Sequence, residues 1–148
     1  MPFVTSLTRR FLLTALLALF APVFVAAAED NEEEWIEIKK GLLYQDLVVG
    51  DGNEAGSGSF VQVHYVGSLE DGSVFDRSKE SGFAFKIGDG RVIRGWELGV
   101  TGMKVGGKRK LKVPHKMGYG SRGVLGRIPP KATLIFEIEL ISSNRPAR

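Results

Sequence analysis

The stretch Val92-Ile93-Arg94-Gly95-Trp96-Glu97-Leu98-Gly99-Val100-Thr101-Gly102-Met103 decides the fold. Val92, Trp96, Val100 and Met103 recur at about 3.6 residues, so this segment is expected to be one short helix with a single apolar stripe, despite Gly95 and Gly99. Around it the chain alternates instead. Residues 108–113 set Lys108, Lys110 and Lys112 against Leu111 and Val113, and residues 134–140 alternate just as strictly. In residues 60–69, Val61, Val63 and Tyr65 share a face; in residues 41–49, Leu43, Gln45 and Leu47 alternate with Leu42, Tyr44 and Asp46. Residues 83–87 make a short strand stopped by Gly88-Asp89-Gly90, and Glu70-Asp71-Gly72-Ser73 is a tight turn in which Gly72 supplies the positive φ. Strands of this kind with one helical segment imply an α+β domain, an antiparallel sheet folded over that helix. Neither an internal repeat nor a linker divides it.

Ahead of this domain the composition changes twice. Residues 11–28 carry 16 apolar side chains out of 18, behind Arg9-Arg10 and ahead of Ala26-Ala27-Ala28. A basic start, an apolar middle and small residues at the A-x-A positions describe a secretory signal peptide, with cleavage expected after Ala28. Pro22 and the small-residue end argue against the alternative, an uncleaved membrane anchor. Residues 29–37 then hold six acids among nine positions, so residues 29–40 are expected to form a solvated acidic tail and residues 41–148 the folded domain. These divisions reorganise the charge. The chain has 20 Lys and Arg against 17 Asp and Glu, a formal +3; beyond residue 37 there are 18 basic and 11 acidic groups, +7.

Composition also removes whole classes of chemistry. With no cysteine, disulfides, thiolate nucleophiles, cysteine zinc sites and iron–sulfur clusters are excluded, and two histidines leave little for a transition metal. Neither His64 nor His115 stands near a nucleophile elbow, and Gly88-Asp89-Gly90 lacks the Gly-Lys-Ser/Thr of a phosphate loop. Acid pairs drawn from Asp71, Asp76 and Glu80 are of the kind that chance supplies. Lys104, Lys108, Arg109, Lys110, Lys112 and Lys116 form a basic cluster, but their period of two reads as the wet face of a half-buried strand, so no nucleic-acid partner is expected. The remaining feature is aromatic. Tyr65, Phe75, Phe83, Trp96, Tyr119 and Phe136 come from separate elements and are either core or the lining of an apolar pocket whose polar groups are Asp76 and Tyr119.

Val63-His64-Tyr65-Val66-Gly67, Leu69-Glu70-Asp71-Gly72, Phe75-Asp76, Val92-Ile93-Arg94-Gly95-Trp96-Glu97, Gly118-Tyr119-Gly120 and Ile128-Pro129-Pro130 with Ala132-Thr133-Leu134-Ile135-Phe136 resemble, in one order, the FKBP family of peptidyl-prolyl cis-trans isomerases. The resemblance runs from about residue 41 to residue 141. It implies a five-stranded, mainly antiparallel sheet wrapped around one short helix. By the same resemblance Tyr65, Phe75, Asp76, Trp96, Tyr119 and Phe136 are the catalytic residues, and Phe83, Val92, Ile93 and Ile128 bind substrate. Trp96 would form the floor; the Ile93 amide and the Tyr119 hydroxyl would hydrogen-bond ligand carbonyls. Proline-containing unfolded polypeptides and rapamycin-like macrolides are the implied partners, no cofactor or metal is implied, and the rival reading is a non-catalytic binding module using the same pocket. The chain lacks the long helical dimerisation segment of some exported relatives, so a monomer is expected, periplasmic or secreted, an organelle lumen being the alternative. Three departures stand out. Residues 75–83 are shorter than in the best-known small members; the basic partner of the Asp has only Arg77 or Lys79 as candidates; and Val124 and Arg127 stand where those members carry a histidine and an aliphatic residue.

Overall fold

The structure, a computed structural model, describes residues 34–145. The expected signal segment and residues 29–33 of the acidic tail lie outside the described residues. Seven strands and one helix follow in the order β1 (Ile36–Lys39), β2 (Leu42–Val48), β3 (Phe60–Leu69), β4 (Val74–Arg77), β5 (Phe83–Lys86), α1 (Arg94–Val100), β6 (Lys108–Val113) and β7 (Leu134–Asn144). All pairings are antiparallel, in the order β1-β2-β6-β7-β3-β4, with β5 also on β3.

Seven strands replace the expected five for two reasons. The edge neighbour of β3 is broken in two: β4 pairs with its Val66–Ser68 half and β5 with its Phe60–Val63 half. At the other edge, Ile36–Lys39 adds a strand inside the segment expected to be solvated tail, because Ile38 packs against the core while Glu37 Oε1 accepts the Gly41 N–H at 2.7 Å and closes the turn. β7 continues past residue 140 to Asn144, its register with β3 shifting between Gln62 and Val63.

The alternation places one face of every central strand inside. Val61, Val63, Leu111, Val113, Leu134, Phe136, Ile138 and Leu140 are buried there with Trp96 and Val100 of the helix. Each fully buried aliphatic side chain is worth about 1.5–3 kcal/mol relative to exposure. α1 is shorter than the twelve-residue segment that suggested it: Ile93 is extended (φ −58°, ψ 150°) and Gly102 turns back at φ +86°. Its two glycines are what allow it to sit so close. A Cβ at Gly95 would lie 2.5 Å from Val113 Cγ1, and one at Gly99 would run into Leu111 Cδ1, so the helix packs on β6 with its bare backbone. The helix-propensity cost of each glycine, about 1 kcal/mol, is offset by that contact.

Lys108, Lys110 and Lys112 face outward as expected, Lys108 pairing with Glu139 at 3.6 Å and Lys112 with Glu70 at 3.1 Å. Arg109 does not belong with them. It points inward and is 7% exposed, its Nε and Nη2 taking both oxygens of Asp46 at 2.6 and 2.9 Å while Nη1 donates to the Gly99 carbonyl at 2.9 Å. One guanidinium thereby joins β2, β6 and the end of the helix, stacked over the Tyr44 ring at 4.3 Å.

Candidate active site

The inner face of the sheet is not covered everywhere by the helix, and the uncovered part is a cleft of about 420 Å³. Tyr65 reaches it from β3, Phe75 and Asp76 from β4, Phe83 from β5, Trp96 from α1, Phe136 from β7, Tyr119 from the loop after β6, and Gly90 to Ile93 form the wall before the helix. Five rings meet edge to face: Trp96 lies 4.8 Å from Tyr65 at 83° and 5.3 Å from Phe136 at 83°, and Phe75 meets Phe136 at 5.6 Å and 89°. These perpendicular contacts hold each ring by its neighbour's quadrupole as well as by area. Trp96 and Phe136 are buried and make the floor, whereas Phe83 and Tyr119 are left exposed at its rim. Room for the Phe75 and Phe136 rings comes from Gly67, which lies opposite both Phe136 and Asp76 in the sheet.

Few polar groups point in. The Tyr65 hydroxyl donates to Asp76 Oδ2 at 2.8 Å, and Asp76 Oδ1 accepts the Arg77 backbone N–H at 2.9 Å. Burial, and after it the hydrogen bond to Asp76 and the Asp76 charge, push the Tyr65 hydroxyl up to about 12. The Tyr119 hydroxyl is also raised, by burial first and the Asp76 charge second, with Arg127 pulling the other way. Both phenols are therefore neutral donors across the physiological range. Tyr65 spends its proton on Asp76. Tyr119 does not: among the described residues its hydroxyl and the backbone N–H of Ile93 have no hydrogen-bond partner. The Ile93 carbonyl is already committed to Trp96 N–H at 3.0 Å and Glu97 N–H at 3.3 Å, which fixes the direction of the neighbouring peptide.

A buried acid sets the wall. Glu97, 6% exposed, accepts the Gly88 N–H at 2.8 Å and the Gly90 N–H at 3.0 Å, tying the turn that precedes Arg91–Ile93 to the helix. Neither Glu97 nor Arg91 was among the expected site residues. A charged side chain beside the helix's apolar stripe was the available signal.

Nine of the ten expected residues line this cleft. Ile128 does not; it is buried, and with Leu69, Val124 and Arg127 it lines an adjoining hollow. Nor does a side-chain cation pair with Asp76 among the described residues: Arg77 gives it only its backbone N–H, its side chain lying with His64 and Glu139 on the outer face. The cation whose charge bears on the two phenols is Arg127.

A twisted antiparallel sheet closed over one short helix, with an aromatic cleft between them, defines a known class. Residues 52–141 match the family model described as FKBP-type peptidyl-prolyl cis-trans isomerase, and the chain belongs to that family. It is 52% identical over 103 residues to the FK506-binding protein of Neisseria meningitidis serogroup B, covering 68% of this chain and 94% of that one. A Saccharomyces cerevisiae peptidyl-prolyl cis-trans isomerase, FPR2, is 43% identical over 134 residues, 88% of this chain and 94% of the relative. Of the much longer FK506-binding protein 4 of Dictyostelium discoideum, 50% identical over 107 residues, the chain spans 29%. Among solved structures, the peptidyl-prolyl cis-trans isomerase of Pseudomonas syringae superposes with a TM-score of 0.69 at 35% identity, covering 75% of this chain and 81% of that one.

Proposed function

We propose that this chain accelerates cis-trans rotation of X-Pro bonds in exported polypeptides during their folding, without covalent chemistry. The observation that carries the reading is the pair of unspent donors, Ile93 N–H and Tyr119 O–H, beside an aromatic floor. Rotation of the X-Pro bond passes through a twisted amide that has lost its resonance, against a barrier of about 20 kcal/mol. The planar amide is the more dipolar form, so transfer from water to the face of Trp96 costs the ground state more than the twisted state, and only that difference counts for rate. The two donors hold the flanking carbonyls and keep the chain still while the bond turns. Every tenfold acceleration requires about 1.4 kcal/mol, within reach of prolyl desolvation together with two oriented hydrogen bonds. Asp76 keeps Tyr65 in place. The same cleft suits macrolides of the FK506 and rapamycin type, and the Neisseria and Dictyostelium relatives are named for binding FK506.

Export is part of the proposal. It rests on residues 1–28, and among the described residues no helix is long and apolar enough to cross a membrane. Sequencing the released protein should give Glu29 at or near its start; intact Met1 in the membrane fraction would overturn cleavage. The deciding experiment follows cis-to-trans relaxation of Leu-Pro and Ala-Pro peptides. Acceleration at micromolar protein is expected. Peptide binding without acceleration would point instead to a non-catalytic binding module, and a sedimentation mass twice that of the chain would remove the monomer.

A further inference from the structure

The cleft is apolar, but its rim is not. Arg91 lines it on the wall that Glu97 holds, and the tip loop carries Arg127, which lines the hollow of Ile128 and whose charge bears on Tyr65 and Tyr119. Arg127 stands on a fixed base: its N–H donates to the Val124 carbonyl at 3.0 Å, Val124 and Ile128 exchange backbone bonds at 2.8 Å, and Ile128 is buried. Both arginines are exposed, and among the described residues neither has an acidic partner. The acids of the cleft and its wall are already engaged, Glu97 on the Gly88 and Gly90 amides. Asp76 is bonded to Tyr65 and to the Arg77 amide, and Asp89, on the turn before Arg91, pairs with Lys86 at 3.8 Å.

We infer that Arg91 and Arg127 make this isomerase selective for proline segments bearing an acidic side chain next to the proline. A client seated with its proline on Trp96 must leave the cleft past one or the other guanidinium, so a flanking carboxylate meets an unpaired cation and a flanking lysine meets a repulsion. That the Arg127 charge favours ionisation of both Tyr65 and Tyr119, opposing their burial, places it within electrostatic reach of the cleft.

This inference rests on the isomerase reading above, and one peptide series separates the two. The peptides differ only in the residue before the proline (Glu, Gln, Leu or Lys) or after it (Glu, Gln or Lys). In low-salt buffer, kcat/KM for Glu should exceed that for Lys by about tenfold at one of these positions, with Gln between, and the ratio should shrink to about twofold in 1 M salt. Arg91→Gln and Arg127→Gln should each reduce the ratio and the double variant should abolish it, while Arg127→Glu should favour Lys; urea unfolding run alongside tells altered selectivity from altered folding. Equal rates for Glu and Lys, a ratio indifferent to salt, or one that survives in the folded double variant would overturn the inference alone. Failure to accelerate any peptide would overturn the isomerase reading and this inference with it.

Discussion

Glu97 is the side chain whose replacement tests most directly how the wall of the cleft is held. Among the described residues its buried carboxylate has no cation beside it and is answered only by the Gly88 and Gly90 N–H groups, at 2.8 and 3.0 Å. Hydrogen bonds to a charged group contribute about 1.5–3 kcal/mol each. Glu97→Gln keeps the shape but offers one acceptor oxygen, and turns its NH₂ towards the other N–H. One bond is weakened and one is lost, while a neutral amide is cheaper to bury than an unpaired carboxylate. The balance is a loss of about 1–3 kcal/mol, read as a lower urea midpoint at unchanged m-value. A domain of ordinary stability, about 5–15 kcal/mol, stays folded after such a loss, so any fall in turnover at 25 °C reports the wall and not unfolding. With the turn released, the Ile93 N–H is no longer aimed, and kcat/KM for a Leu-Pro peptide should fall about 5- to 30-fold, mostly through KM, as about 1–2 kcal/mol of misdirected hydrogen bonding requires. Glu97→Asp, too short to reach both amides, should not rescue it. Wild-type kcat/KM in Glu97→Gln together with an unchanged midpoint would refute the staple.

Three further tests address the rest of the molecule. A Cβ at Gly67 would lie 2.7 Å from Phe75 Cζ and 2.9 Å from Phe136 Cε1, so Gly67→Ala should push both rings into the cleft, costing about 1–3 kcal/mol of stability and most of the peptide turnover. Arg109→Ala strands Asp46 and the Gly99 carbonyl and should cost about 3–5 kcal/mol by urea unfolding, with Arg109→Lys recovering little because the fork is lost. Tyr65 holds its proton more tightly folded than unfolded, so its contribution to stability is complete below pH 10 and is lost as the pH climbs towards 12. Tyrosinate absorbance should show that late ionisation, and Asp76→Ala should move it only part of the way down, since burial, the larger cause, remains.

The strands were legible because a half-buried sheet writes its two faces into the sequence at period two, and residues 60–69 and 108–113 fell where they were expected. The same period, applied strictly, would have turned Arg109 inward with Leu111 and Val113; grouping it with the lysines by charge hid a buried ion pair. Charge also hid β1, where Ile36 and Ile38 alternate inside an acidic run. Helix ends depend on single backbone angles, the ψ of Ile93 and the φ of Gly102, that a spacing of apolar residues does not carry. As for the cleft, periodicity left its rings undecided between core and lining, and Trp96 and Phe136 turn out to be both. Their convergence came from the family resemblance. The contacts that resemblance missed, Glu97 on a turn amide and Arg91 at the rim, join positions that no short motif links.

The place of β7 governs the order in which this domain can come into being. The last strand of the described chain lies between β6 and β3, so the two parts of the sheet that are made earlier share no direct pairing. Until Leu134–Asn144 arrives, each offers a bare edge, and the pairing that joins them spans most of the domain's sequence, the arrangement that folds slowly and late. Pulse-labelled hydrogen exchange should find β3 and β6 gaining protection together with β7; early protection of either alone would contradict this. Phe136 arrives on that strand, so the floor it forms with Trp96 is among the last parts of the molecule to exist.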